Sequence, residues 1–181
     1  MTAPPKLNPT MSTVTEKPHL DAAVVRADFA HPLPADASYE EGALCEPISV
    51  GIHCCDLTGV AAGDTVVIHG AGPIGLTAIV AARQRGAGRV IVTDVYPARL
   101  QVARALGAIP VDVRTEDVSQ IVMEATAGEG ADELFDTSGV RSVIEAAPDL
   151  MRMGGSIAIV GLPADDSVTF DGNEPPMRLQ V

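Results

Sequence analysis

The residues with the clearest chemistry are three glycines, Gly70, Gly72 and Gly75, in the run TVVIHGAGPIG from Thr65 to Gly75. An apolar segment (Val66, Val67, Ile68) leads into them, and apolar residues recur at helical spacing from Ile74 to Ala82 behind them. The order is strand, tight turn, helix. Glycines at this spacing let a backbone wrap a pyrophosphate: the first makes the turn and the second lets the main chain approach the phosphates. The third lets helix and strand pack closely, while the unpaired N–H groups of the helix face the charge. A second apolar strand, Val90 to Val92, ends in Thr93-Asp94 about 20 residues on, where a carboxylate can accept from ribose hydroxyls. The pattern predicts a dinucleotide site. Asp94 would repel a 2′-phosphate, so the expected cofactor is NAD rather than NADP.

The elements that must position these residues alternate along the chain. After the fingerprint helix, which ends around Arg85-Gly86, come a strand at Val90 to Thr93 and a helix from Pro97 to Leu106. A strand at Ile109 to Asp112, a helix at Val118 to Ala127 and a strand at Leu134 to Asp136 follow. The next helical stretch is Val140 to Met151, which Pro148 should end early or kink. Gly154-Gly155 then turns the chain into an apolar strand from Ser156 to Gly161. This βαβαβαβαβ order predicts an α/β fold: a Rossmann-type, doubly wound parallel sheet with helices on both faces. Beyond Leu162 the periodicity stops, and Asp165-Asp166, Asp171-Gly172-Asn173 and Pro175-Pro176 read as loop. The closing MRLQV only begins to read as a further strand, so the sheet is expected to stop short at its C-terminal end.

Upstream, residues 1–20 carry Pro4, Pro5, Pro9 and Pro18 and no apolar period, and are expected to be a disordered tail. Residues 21–58 read as a connector followed by two helices, and 59–181 as the dinucleotide-binding domain. The first helix, capped by Ser38, would end at Leu44; the second would start at Glu46-Pro47 and run to about Leu57. Ile48, Ile52 and Cys55 would share its inner face.

Composition narrows the partners. At 181 residues with 12 basic and 24 acidic side chains, the net charge of −12 offers no footprint for nucleic acid or an anionic membrane surface. No apolar run reaches the roughly 20 residues of a membrane span, and no secretory signal order opens the chain, so a cytoplasmic protein is expected. Cys45, Cys54 and Cys55 make an odd count at no metal-ligand spacing and are expected to be buried free thiols. His19, His31, His53 and His69 have no partner at ligand spacing.

Four stretches carry a resemblance. They are Tyr39-Glu40-Glu41-Gly42-Ala43-Leu44-Cys45-Glu46-Pro47-Ile48-Ser49-Val50-Gly51-Ile52-His53, then Gly70-Ala71-Gly72-Pro73-Ile74-Gly75, then Val92-Thr93-Asp94 with Arg99-Leu100, and Gly154-Gly155 with Val160-Gly161-Leu162. With these the sequence resembles the zinc-dependent medium-chain dehydrogenases, and within them the sorbitol and xylitol dehydrogenase branch, over about Asp28 to Leu162. The Glu-Pro-hydrophobic-Ser-Val block is the discriminating one.

The resemblance implies that Gly70, Gly72, Pro73, Ile74 and Gly75 lie along the pyrophosphate of NAD. It also implies that Asp94 chelates the adenosine ribose with Arg99 beside it, and that Val160, Gly161 and Leu162 line the nicotinamide end. Glu46 would be the catalytic residue, pointing at the family's zinc through a water and touching the substrate hydroxyl. Read without the family, the same side chain is a carboxylate placed favourably at a helix N-terminus. The family's zinc is held by a Cys, a His and a Glu of a preceding domain, and this chain alone is not expected to hold it. The implied reaction is oxidation of a secondary alcohol of a polyol, xylitol or sorbitol in type, to a ketose. The alternative is a stand-alone dinucleotide-binding module without catalysis, in effect a truncated enzyme. Family members associate through a sheet edge, which a chain ending near that strand is poorly placed to reproduce.

Overall fold

The structure, a computed structural model, describes residues 24, 26–163, 168–170 and 178–180. Residues 1–38 and 39–181 are separate compact units. In the first, a 3₁₀ turn at Ala27–Phe29 carries Asp28, whose carboxylate accepts from Arg26 Nε at 3.0 Å. The expectations for the tail at 1–20 and for the loop residues Asp165, Asp166, Asp171, Gly172, Asn173, Pro175 and Pro176 lie outside the described residues.

The second unit opens with α1 (Tyr39–Thr58), followed by β1 (Thr65–His69), α2 (Pro73–Gln84) and β2 (Arg89–Asp94). Then come α3 (Pro97–Ala105), β3 (Ile109–Asp112), α4 (Val118–Ala125), β4 (Ala131–Asp136) and α5 (Arg141–Ala146). A 3₁₀ turn at Ala147–Leu150 leads into β5 (Met151–Ile159), and β6 (Arg178–Gln180) is the last described strand. All pairings are parallel, in the order β3-β2-β1-β4-β5-β6. The order reverses between β1 and β4, which defines a doubly wound Rossmann-type sheet. Arg178–Gln180 supply β6, which pairs Ser156 with Arg178 and Ala158 with Gln180, so the sheet does not stop short of this strand as expected.

Burial explains why the strands read as continuous apolar runs. Val66 and Ile68 of β1 enter a core with Ala78, Ile79 and Ala82 of α2 and Leu100 and Ala103 of α3. Val67, between them, enters the opposite core with Val122 of α4 and Leu134, Leu150 and Ile157. Each face of a parallel strand is covered, so no polar alternation survives.

Four local expectations are corrected. The two helices before β1 are a single α1 with Pro47 inside it. A proline there gives up the bond its N–H would make to the carbonyl of Ala43, and the same turn is anchored to α2, because Thr77 Oγ1 donates to Pro47 O at 2.9 Å. The inner face of α1 is Gly51, Cys54, Cys55 and Thr58, while Ile52 is exposed. Gly51 sets this face: a Cβ there would lie 2.9 Å from the Ala78 backbone, so the two helices cross at near contact. Finally, Gly154-Gly155 does not precede β5 but lies inside it. The register shifts opposite, between Ala131 and Glu133, and Gly154 adopts φ +77°, the marks of a bulge. Pro148 acts as expected, since α5 stops at Ala146 and the chain tightens into the 3₁₀ turn. Among the thiols, Cys54 and Cys55 are buried as expected, but Cys45 is exposed.

Candidate functional site

A cleft of about 650 Å³ opens at the C-terminal ends of β1, β2 and β4, where the strand order reverses. This is where an open parallel sheet leaves a crevice, since the connections on either side leave in opposite directions. His69, Gly70, Gly72, Asp94, Arg99, Thr137 and Ser138 line it.

The glycine turn is built by close approach. Gly70 has φ +94°, and a Cβ on Gly75 would sit 1.9 Å from Gly70 O, so neither position accepts a side chain without rebuilding the turn. Gly72 differs: a Cβ there meets nothing within 4 Å and would project into open space. Gly72 is the N-cap of α2 without a side-chain cap, and Pro73 opens the helix. The first-turn N–H groups thus remain available to an anion.

Asp94 ends β2 and is 9% exposed. Its Oδ2 accepts from Ala71 N at 2.8 Å, and its Oδ1 accepts from Val95 N and Tyr96 N at 2.7 and 2.8 Å. The carboxylate therefore ties the fingerprint turn to the β2–α3 turn. Arg99 Nη1 stands 3.6 Å from Asp94 Oδ2 with its guanidinium 4.7 Å from the Tyr96 ring centre, so arginine and carboxylate share the cleft wall.

Sequence reasoning missed a second layer. Thr137 donates from Oγ1 to His69 O at 2.8 Å and to Gly70 O at 3.1 Å, bracing the turn from β4. Asp136 accepts from Ser138 Oγ at 2.6 Å and from Gly139 N at 3.1 Å, shaping the loop that carries Thr137. His69 Nδ1 lies 3.0 Å from Thr93 Oγ1. Burial drives the His69 pKa down to about 4, against the attraction of Asp136, and keeps the imidazole neutral at pH 7. The signal available in the sequence was position: residues just past β4 must face the crevice once the strand order is known.

Of the predicted site residues, the cleft gathers Gly70, Gly72, Asp94 and Arg99, with Pro73, Ile74 and Gly75 forming the adjoining helix start. Val160, Gly161 and Leu162 follow β5 and are not among the lining. Val160 N and Gly161 N both donate to Asp136 O at 2.9 Å, and a Cβ on Gly161 would meet Gly139 N at 2.1 Å. Glu46 sits exposed on α1, outside the lining. Among the described residues, one group of three potential metal ligands converges, Asp64, Asp132 and Glu133, and Glu46 is not part of it. Zinc sites of this class call for several nitrogen or sulfur donors, so the described residues do not fit the zinc that Glu46 would serve. His31 and His53 are exposed.

Fold and cleft together define a Rossmann-type domain with a switch-point crevice. Residues 73–178 match the zinc-binding dehydrogenase family, and the chain belongs to it. The chain is 40% identical over 160 residues to a sorbitol dehydrogenase of Bacillus subtilis, covering 85% of this chain and 45% of that protein. It is 42% identical over 135 residues to an L-idonate 5-dehydrogenase of Vitis vinifera, covering 72% and 37%. Among solved structures, the alcohol dehydrogenase TADH from Thermus sp. ATN1 superposes with a TM-score of 0.77 at 29% identity, covering 83% of this chain and 46% of that one. The 2R,3R-butanediol dehydrogenase from Bacillus subtilis gives 0.73 at 32% identity, covering 82% and 44%. The chain thus spans less than half the length of these relatives. Among the described residues, no helix is long and apolar enough to cross a membrane.

Proposed function

We propose that this chain is the NAD(H)-binding portion of a polyol dehydrogenase that oxidises a secondary alcohol to a ketone. The observation that carries the reading is the pairing of an open Gly72 with a buried Asp94 across one crevice, bound to the same turn through Ala71 N. In this reading the N-terminus of α2 takes the pyrophosphate, with Gly72 leaving room for it and Thr137 keeping the turn rigid. Asp94 presents the remaining acceptor site of Oδ2 to a ribose hydroxyl, Arg99 moving aside from its 3.6 Å contact, and disfavours a 2′-phosphate by charge. The polyol class rests on the Glu46-Pro47 block and on the sorbitol dehydrogenase relatives. When bound, the nicotinamide would accept the hydride from the alcohol carbon, and the hydroxyl proton would leave to solvent.

Calorimetric titration of NAD and NADP tests the cofactor half. Asp94→Ser should weaken NAD binding by about tenfold or more, as expected for losing a charged acceptor, and narrow the gap to NADP. An unchanged preference would sink the assignment. A second reading, a dinucleotide-binding module without catalysis, is favoured by the solitary exposed position of Glu46. It predicts saturable NAD binding without oxidation of xylitol or sorbitol by the purified chain, whereas measurable turnover would exclude it.

A further inference from the structure

The opposite end of the sheet, at the N-terminal ends of its strands, holds a group of side chains that nucleotide binding does not use. Asp64 immediately precedes β1, and Asp132 and Glu133 lie on β4, which pairs with β1 through Val66 and Glu133. One oxygen from each of the three carboxylates lies within 4.8 Å of the others. Glu133 is 5% exposed, and its Oε2 is closed off from solvent with no hydrogen-bond partner among the described residues.

The two aspartates are held in place by main chain. Ala61 N donates to Asp64 Oδ2 at 2.6 Å, and Thr65 N donates to Asp132 Oδ2 at 2.7 Å. Arg152 supplies one compensating charge, donating from Nε to Asp132 Oδ1 at 2.5 Å from a side chain 41% exposed. Three carboxylates against one guanidinium leave negative charge in excess around the most buried of the three. Burying an acceptor without a partner is costly, and more so when it is charged. Such an atom in a native core calls for an occupant.

We propose that Asp64, Asp132 and Glu133 form a binding site for one hard divalent cation of the Ca²⁺ or Mg²⁺ class. An all-oxygen donor set selects hard cations over zinc or copper. Oxygens bound to one Ca²⁺ ion at about 2.4 Å are at most about 4.8 Å apart, so the three carboxylates are near enough to share one ion. Asp64 and Asp132 are only partly buried, which leaves an entry path and room for waters to complete the shell. A proton shared with Asp64 is the competing occupant: burial, the charges of Asp64 and Asp132 and a side-chain hydrogen bond to Asp64, against the pull of Arg152, push the Glu133 pKa up to about 8. A cation would displace that proton near neutral pH and brace the turn before β1 against β4.

The site stands apart from the cleft, so its test needs neither NAD nor activity. The 181-residue chain, stripped with chelator, is melted with Na⁺ alone and with millimolar Ca²⁺ or Mg²⁺ at matched ionic strength, and bound calcium is counted by equilibrium dialysis. One ion per chain and a melting temperature raised by about 3 °C or more are expected. Glu133→Gln keeps the shape and removes the buried charge. It should melt above the cation-free wild type and bind calcium at least about tenfold more weakly. Should that variant misfold, Asp64→Asn, at a partly exposed position, carries the same binding readout. No saturable ion, or equal binding by wild type and variants, would mean diffuse counter-ions on an acidic surface and would overturn the site.

Discussion

Gly72 and Gly75 look equivalent in the sequence and separate sharply in the structure. A methyl on Gly75 would overlap Gly70 O at 1.9 Å, whereas one on Gly72, at φ −73°, meets nothing within 4 Å. Gly75→Ala should therefore lower stability by about 3 kcal/mol or more, in the range of severe overpacking. Gly72→Ala should melt within about 1 kcal/mol of wild type yet lose most NAD affinity, because its methyl fills the space left for phosphate. Parallel thermal melts and NAD titrations separate the two, and a Gly72→Ala chain that binds NAD normally would contradict the pyrophosphate placement. Asp94 was legible for a related reason: a carboxylate closing a buried strand is costly unless it has a task, and here it holds three backbone N–H groups. Thr137 was not legible, because a threonine past a strand carries no signal until β4 is known to lie beside β1.

At the scale of elements, apolar runs bounded by glycine and proline were enough to locate β1, β2, β3 and the helices between them. Where that reasoning failed, a tertiary contact had overridden a local preference. Pro47 reads as a helix start, and α1 runs through it because Thr77 and Gly51 bind the helix along α2. Gly154-Gly155 reads as a turn, yet the glycines are needed within β5, where a Cβ on Gly155 would lie 2.9 Å from Asp132 O. The α1–α2 crossing is thus a single-atom fit. Gly51→Ala would place its methyl 2.9 Å from Ala78 Cα and force the helices apart, costing about 1–3 kcal/mol. The melting temperature measures it, and Ala43→Gly, at an exposed position of the same helix, calibrates the propensity term alone, at about 1 kcal/mol.

For the whole molecule, two buried groups make stability depend on pH in opposite directions. His69 is neutral in the fold, with its pKa lowered to about 4 from 6.5. The unfolded chain therefore binds the extra proton as pH falls, and the stability that His69 contributes above about 6.5 is lost toward 4. Glu133 has its pKa raised from 4.5 to about 8, so in cation-free protein the fold binds the extra proton. Its contribution is complete below about 4.5 and lost as pH rises toward 8. The shifts correspond to at most about 3 kcal/mol for His69 and about 5 kcal/mol for Glu133, since one pKa unit is about 1.4 kcal/mol. Between about pH 4.5 and 6.5 the two slopes nearly cancel, which predicts a plateau with falling stability on either side. In chelator, denaturant melts of the wild type should decline from about pH 6.5 to 8, and Glu133→Gln should remove that decline and, with the His69 slope no longer offset, extend the acid limb up to about pH 6.5. Calcium should flatten the same alkaline limb in the wild type alone. A decline that survives Glu133→Gln would place the responsible proton elsewhere and remove the energetic motive for a cation at this end of the sheet.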